Sequence, residues 1–108
     1  MAQFKLIIVS PRDKVFDQNA DSFVAPGEEG EFGVLAHHAP MIALVKRGVA
    51  HVTVDGQTQY FVTGEGFVEV THNEVSMLVD FAAKAESHDQ AKAALAELLK
   101  DVGTAKVV

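Results

Sequence analysis

The 108-residue chain contains no cysteine. Disulfides, thiolate nucleophiles and thiolate metal sites are therefore excluded, and the absence fits a cytoplasmic protein. Basic runs are absent too: nine lysines and arginines stand against fifteen acidic residues, for a formal net charge of −6. Nucleic-acid binders need the opposite balance, and an anionic lipid surface repels such a chain. Long apolar runs are missing as well. The opening MAQFKLIIVSP is interrupted at Lys5 and stops at Pro11, too short for a secretory signal. No stretch approaches the roughly 20 apolar residues of a membrane span, so any link to a membrane must run through a protein partner. There is no internal repeat and no low-complexity segment.

What is present is a chain that is 48% hydrophobic, enough for one core at this length. The first two-thirds reads as short strands. Gln3 to Ser10 is rich in β-branched residues and closes at Ser10-Pro11; Val15-Phe16 is a short piece before the polar Asp17-Gln18-Asn19. Asp21 to Ala25 stops at Pro26-Gly27, Phe32 to Leu35 and Met41 to Val45 are short apolar pieces, and Lys46-Arg47-Gly48 ends the latter. VAHVTV and QTQYFVT flank Asp55-Gly56, a strong hairpin signal. Gly66 to Val70 and Val75 to Val79 make a second hairpin across Thr71-His72-Asn73-Glu74. Short strands at this spacing predict an antiparallel sandwich or barrel. After Asp80 the period changes. Ser87 and Gln90 match a capping box, and Ala91, Ala94, Leu95, Leu98, Leu99 and Val102 form one stripe at 3–4 spacing. Lys100 suits the negative end of the helix dipole, and Gly103 is the expected terminator of a helix of about 15 residues.

The segment GEEGEFGVLAHHAP, Gly27 to Pro40, holds three carboxylates, three glycines and two adjacent histidines. It admits three readings. A metal site would use His37 and His38 with Glu28, Glu29 or Glu31, but adjacent residues of an extended chain point to opposite faces, and ligand pairs are normally spaced to converge. An acid/base pair needs burial to shift its pKa, and the flanking glycines argue for exposure instead. The third reading is a solvated turn on a surface loop, with Gly30 and Gly33 at positive φ. Gly64-Glu65-Gly66 reads as a strand break, since no helix follows to make it a phosphate cradle.

The same segment resembles the signature of the epsilon subunit of bacterial F-type ATP synthase (the delta subunit in mitochondria). That family typically reads Gly-Ser-Glu-Gly-Glu-apolar-Gly-apolar-apolar-Pro-Gly-His-Ala-Pro, then an apolar run and Lys-Pro-Gly. This chain supplies Gly27, Glu29, Gly30, Glu31, Phe32, Gly33, Val34, Leu35, His38, Ala39, Pro40, Lys46 and Gly48 without a gap. FKLIIVSPRDKVF and GEGFVEVTHNEVSMLVD are similar to the family's first strand and to its Ser-Gly-Gly-Phe-apolar-Glu-Val segment.

The resemblance implies a mainly β fold: a ten-stranded antiparallel β-sandwich over 1–84, then a helical segment over 85–108. It implies a non-catalytic subunit of the central rotor stalk that couples rotation of the membrane ring to ATP synthesis, without a cofactor or metal. The implied partners are the gamma subunit, the ring subunit c and the catalytic alpha/beta head, at the cytoplasmic face of the bacterial inner membrane. Carried over by position, Glu31 and His38 contact the ring's polar loops, both expected on one exposed loop. Four departures stand out. Ala36-His37 replaces Pro-Gly, and Arg47 replaces the proline after Lys46. The family's ATP motif, Ile/Leu-Asp-x-x-Arg-Ala, is degenerate here: Asp89 and Ala93 match, but Lys92 replaces the arginine and lacks its bidentate fork. One helix followed only by Gly103 to Val108 leaves no second helix for the family's hairpin, so little or no autoinhibition is expected. A free-standing metal-binding sandwich using His37 and His38 is the competing reading.

Overall fold

The computed structural model describes residues 2–107, and over 100–107 the backbone alone. Its elements are β1 (Phe4–Val9), β2 (Lys14–Ala20), β3 (Ser22–Gly27), β4 (Gly30–Leu35), β5 (Met41–Val45), β6 (Gly48–Val54), β7 (Gln57–Thr63), β8 (Gly66–Thr71), β9 (Glu74–Val79), β10 (Ala82–Ala85) and α1 (His88–Val107). The strands run in the order β10-β7-β6-β3-β5-β8-β9-β1-β2, with β4 on the free edge of β3. They stack as two five-stranded layers. The path crosses from one layer to the other at β3 and β5, which share a single registered pair, Gly27 with Val45. Every pairing is antiparallel except β1 with β9, which is parallel.

Alternation along the strands fills the space between the layers. Phe4, Leu6 and Ile8 of β1, Val75 and Met77 of β9, Val68 and Val70 of β8, Val52 of β6, Phe61 of β7 and Phe23 of β3 are all buried. Phe16 and Phe61 meet edge to face across the layers at 5.8 Å. The Asp55-Gly56 hairpin forms as expected, with φ of 50° and 81° and Val54 opposite Gln57, the left-handed pair of a type I′ turn. His72-Asn73 makes the same two-residue turn without a glycine, at φ 40° and 64°. Gly30 takes φ 127° as expected; Gly33 does not, and continues β4 with ordinary backbone.

Two strands were not legible in the pattern. β2 runs past Val15-Phe16 through Asp17, Gln18 and Asn19; it ends the sheet, so its outward residues face solvent and read as loop. β10, Ala82–Ala85, has little intrinsic strand preference and is held by its register with Tyr60–Thr63 of β7. It carries the strand region one residue past the expected 84/85 boundary.

The helix starts where the capping signal places it. Ser87 Oγ accepts from Gln90 N at 3.1 Å, and Gln90 Oε1 accepts from the Glu86 N–H. Its end differs: α1 continues through Gly103 to Val107, because a glycine costs a helix interior about 1 kcal/mol without breaking it. The inward stripe is also narrower than expected. Ala91 is fully buried, Leu95 and Leu98 are half-buried, while Ala94 and Leu99 face solvent; the side chains of Lys100 and Val102 lie outside the described residues. This stripe closes a second, smaller core on the outer face of β6, β7 and β10, over Val49, Tyr60, Val62 and Ala85.

That second core is thin. Two half-buried leucines and an alanine stabilise docking by only a few kcal/mol, given about 1.5–3 kcal/mol for a fully buried leucine. Ala91→Glu is expected to undock α1 while the sandwich stays folded. Hydrogen exchange should then accelerate along α1 by at least about tenfold, with the β1, β8 and β9 amides unchanged. A cooperative loss of protection in both places would show that the sandwich depends on the helix.

Candidate partner-binding surfaces

Strand β4 positions both residues singled out as contacts, and it separates them. Glu31 is its second residue, on the edge strand opposite Pro26, largely exposed and 4.0 Å from His51 Nε2. His38 lies beyond its other end, in the β4–β5 loop. At about 3.3 Å per residue, Glu31 and Leu35 alone are roughly 13 Å apart. The expectation of one shared loop is therefore corrected: these are two sites, and only His38 stands in a loop. The loop begins with a turn closed by His38 N to Leu35 O at 3.2 Å, with His37 at φ 66°. This is the shape of a type II turn. Ala36-His37 thus keeps a turn that suits Pro-Gly, at a cost on the order of 1 kcal/mol for a side chain in the left-handed region. His38 Nδ1 lies 2.7 Å from Ala39 O. A carbonyl can only accept, so Nδ1 carries a proton, and in the neutral ring that leaves Nε2 as an acceptor.

The metal reading finds no ligand set. Among the described residues no three His, Asp or Glu side chains converge. His38 spends Nδ1 on a carbonyl, and the turn Glu28-Glu29 and Glu31 sit at the far end of β4.

The outer faces of the two layers differ. One carries α1. On the other, Leu44 of β5 stands opposite Phe67 of β8, and Phe67 opposite Leu78 of β9. Leu44 and its strand neighbour Ile42 are 61% and 69% exposed, and Phe67 37%. A cleft beside this apolar row is lined by Glu28, Glu29, Glu31 and Phe32. The surface was readable from MIALV, an unbroken apolar run where a strand with one solvated face would alternate.

A third cluster lies under the start of α1. The rings of His51 (β6), Tyr60 (β7) and His88 (α1) sit 5.2, 5.3 and 5.4 Å apart in a triangle. Glu31, Lys46, Arg47 and Lys92 line the same cleft. Asp89 and Lys92 of the degenerate nucleotide motif are both exposed. Burial holds His51 below its ordinary value of 6.5; Glu31 opposes this and His88 adds to it.

Comparison with known proteins shows the family. The profile of the ATP synthase Delta/Epsilon chain β-sandwich domain matches residues 3–85. The chain is 43% identical over 89 residues to the ATP synthase epsilon chain of Pelotomaculum thermopropionicum, covering 82% of this chain and 66% of that one. It is 34% identical over 108 residues to the epsilon chain of Helicobacter pylori, covering 96% and 88%. It thus spans about two-thirds of the first relative's length. Among solved structures, a chain of the Euglena gracilis mitochondrial ATP synthase OSCP/F1/c-ring assembly superposes with TM-score 0.77 at 25% identity, covering 96% of this chain and 66% of that one.

The ring triangle is expected to make helix docking depend on pH. For a histidine whose pKa is depressed, the docked state has its full stability above the ordinary value and loses it as pH falls through 6.5 towards the depressed value. Protonating His51 sets a cation against His88 at the positive end of the α1 dipole. Between pH 7.5 and 5.5, protection of α1 amides is expected to fall, and His51→Phe to abolish that dependence. Protection factors equal at both pH values would show that these rings do not govern docking.

Proposed function

The chain belongs to the ATP synthase delta/epsilon chain family, and on that premise we propose that it is the epsilon subunit of the enzyme's central rotor stalk. It has no chemistry of its own: it couples rotation of the membrane ring to ATP synthesis in the catalytic alpha/beta head. The carrying observation is the uncovered apolar face. Ile42, Leu44 and Phe67 form a patch on a rigid layer, and such patches mark protein interfaces. A gamma subunit seated there would take torque from the sandwich as a body, while α1 occupies the opposite face.

Glu31 and His38 serve as the contacts with the ring subunit c. The carboxylate and the free Nε2 both accept hydrogen bonds, so they suit a loop that offers donors such as guanidinium or amide groups. Because β4 holds the two apart, they meet different copies of the loop, which a ring of identical subunits supplies in succession. No helix among the described residues is long and apolar enough to cross a membrane; attachment to the cytoplasmic face of the bacterial inner membrane runs through the ring. The docked α1 adds little inhibition of ATP hydrolysis, and the coupling ion is a property of the ring.

The test is recovery of the tagged chain from detergent-solubilised membranes of its own host. Gamma, the catalytic head and the ring are expected to come with it. Leu44→Glu with Ile42→Glu should cut recovery of gamma more than tenfold, equivalent to about 1.4 kcal/mol. Glu31→Lys with His38→Ala should weaken the ring while sparing gamma. Recovery of the chain alone from the soluble fraction would refute the assignment.

Asp89 and Lys92 are proposed not to form a working nucleotide site, because a lysine is a point charge that cannot grip two phosphate oxygens as a guanidinium does. Isothermal titration with ATP should give no micromolar binding. A saturable micromolar isotherm lost on Lys92→Ala would restore the motif.

A further inference from the structure

The β8–β9 turn and the β4–β5 loop meet at one residue. Asn73 Oδ1 accepts the His37 N–H at 2.6 Å, and Asn73 Nδ2 donates to Gln3 O at 2.8 Å. The Asn73 carbonyl accepts from Lys5 N at 3.2 Å. One half-buried side chain thereby ties three segments that are far apart in sequence. Its base is itself anchored. Gln3 Nε2 donates to Asp21 Oδ1 at 3.0 Å, and Asp21 Oδ2 accepts the Asp55 N–H at 2.7 Å. The bonds form one relay from the β6–β7 turn, through Asp21, Gln3 and Asn73, to His37.

The relay ends where the backbone is least favourable. His37 sits at φ 66°, and its N–H has the Asn73 carboxamide as acceptor. Without that bond, a histidine at this position loses its reason to stay left-handed, and the turn from Leu35 to His38 loses its shape. The next residue is His38, whose Nδ1–H to Ala39 O contact exists only if the loop backbone holds.

We propose that Asn73 is the positioning residue of the β4–β5 loop: it holds His37 left-handed and so fixes His38 as the Nδ1–H tautomer, with Nε2 presented as a hydrogen-bond acceptor to a donor-bearing partner. That a partner reads His38 rests on the function proposed above. That Asn73 sets its tautomer does not.

Three variants separate the brace from the turn. Asn73→Gly keeps positive φ freely and removes the side chain. Asn73→Asp keeps an acceptor for His37 and loses the donor to Gln3. His72→Gly alters the same turn without touching the relay. In the ¹⁵N-labelled full chain, the His38 ring nitrogens are expected to report the Nδ1–H form. Asn73→Gly should convert them to a tautomer mixture and speed His37 amide exchange at least tenfold. Asn73→Asp should retain most of the His37 protection, and His72→Gly should leave both signals unchanged. Should Asn73→Gly prove too unstable to assign, Asn73→Ser, whose hydroxyl is too short to reach the His37 N–H, is compared with His72→Gly on the same signals, the brace requiring loss of His37 protection in Asn73→Ser alone. Unchanged His38 signals in Asn73→Gly, or equal effects from Asn73→Gly and His72→Gly, overturn the proposal. In the membrane pull-down, Asn73→Gly should lower ring recovery as His38→Ala does, with no further loss in the double variant. If the unaltered chain recovers no ring, the proposed function fails while the tautomer measurement still decides the role of Asn73.

Discussion

A strand has two faces, and the shared core can take only one of them. Everything else in this structure follows from how the other faces are covered. In the layer β10-β7-β6-β3-β4, the outward residues Val49, Tyr60 and Val62 are closed over by α1. In the layer β5-β8-β9-β1-β2, the outward residues Ile42, Leu44 and Phe67 have no cover. The molecule is therefore asymmetric: one broad side is sealed by α1 and the other is left uncovered by the described residues. The inner core carries most of the stability, with the Phe16–Phe61 contact binding the layers. The core under the helix is small beside it.

Much of this was legible in the sequence because local rules and the global fold agree there. Asp55-Gly56 wrote its hairpin in residue types that accept two successive left-handed positions cheaply. The Ser87 and Gln90 signal placed the helix start to the residue. What was illegible depends on neighbours. β10 is three alanines and a lysine, and only pairing with β7 makes it a strand. β2 looks polar because it ends the sheet. Ala94 and Leu99 looked as buried as Ala91, but the face that α1 presents is set by the narrow bed of β6, β7 and β10, and periodicity alone cannot measure that width.

The site followed the same division. Glu31 and His38 were found by position in a recognisable segment, but their separation was not. Glycines around Glu31 suggested a continuous loop, whereas Gly33 is an ordinary strand residue and β4 runs straight between the two sites. The uncovered face was missed, although the unbroken apolar run MIALV carries its signal, since a strand with a wet side alternates. Asn73 could not have been found at all. Its partners Gln3 and His37 lie 70 and 36 residues away, and no pattern within one strand or turn records a bond of that kind.

The departures of Ala36-His37 from Pro-Gly then take on a physical meaning. Proline and glycine would shape the Leu35–His38 turn by themselves, one by fixing φ and the other by tolerating positive φ. Here neither is present, yet the turn persists with His37 at φ 66°. A local conformational preference has been replaced by a tertiary hydrogen bond from the far side of the sequence. Such an exchange makes the loop conditional on the fold: in the unfolded chain nothing favours it, and in the folded chain the relay through Asp21, Gln3 and Asn73 over-determines it. The loop that carries His38 is thus tied to the sandwich end by tertiary hydrogen bonds through Asn73 and not by its own residue types.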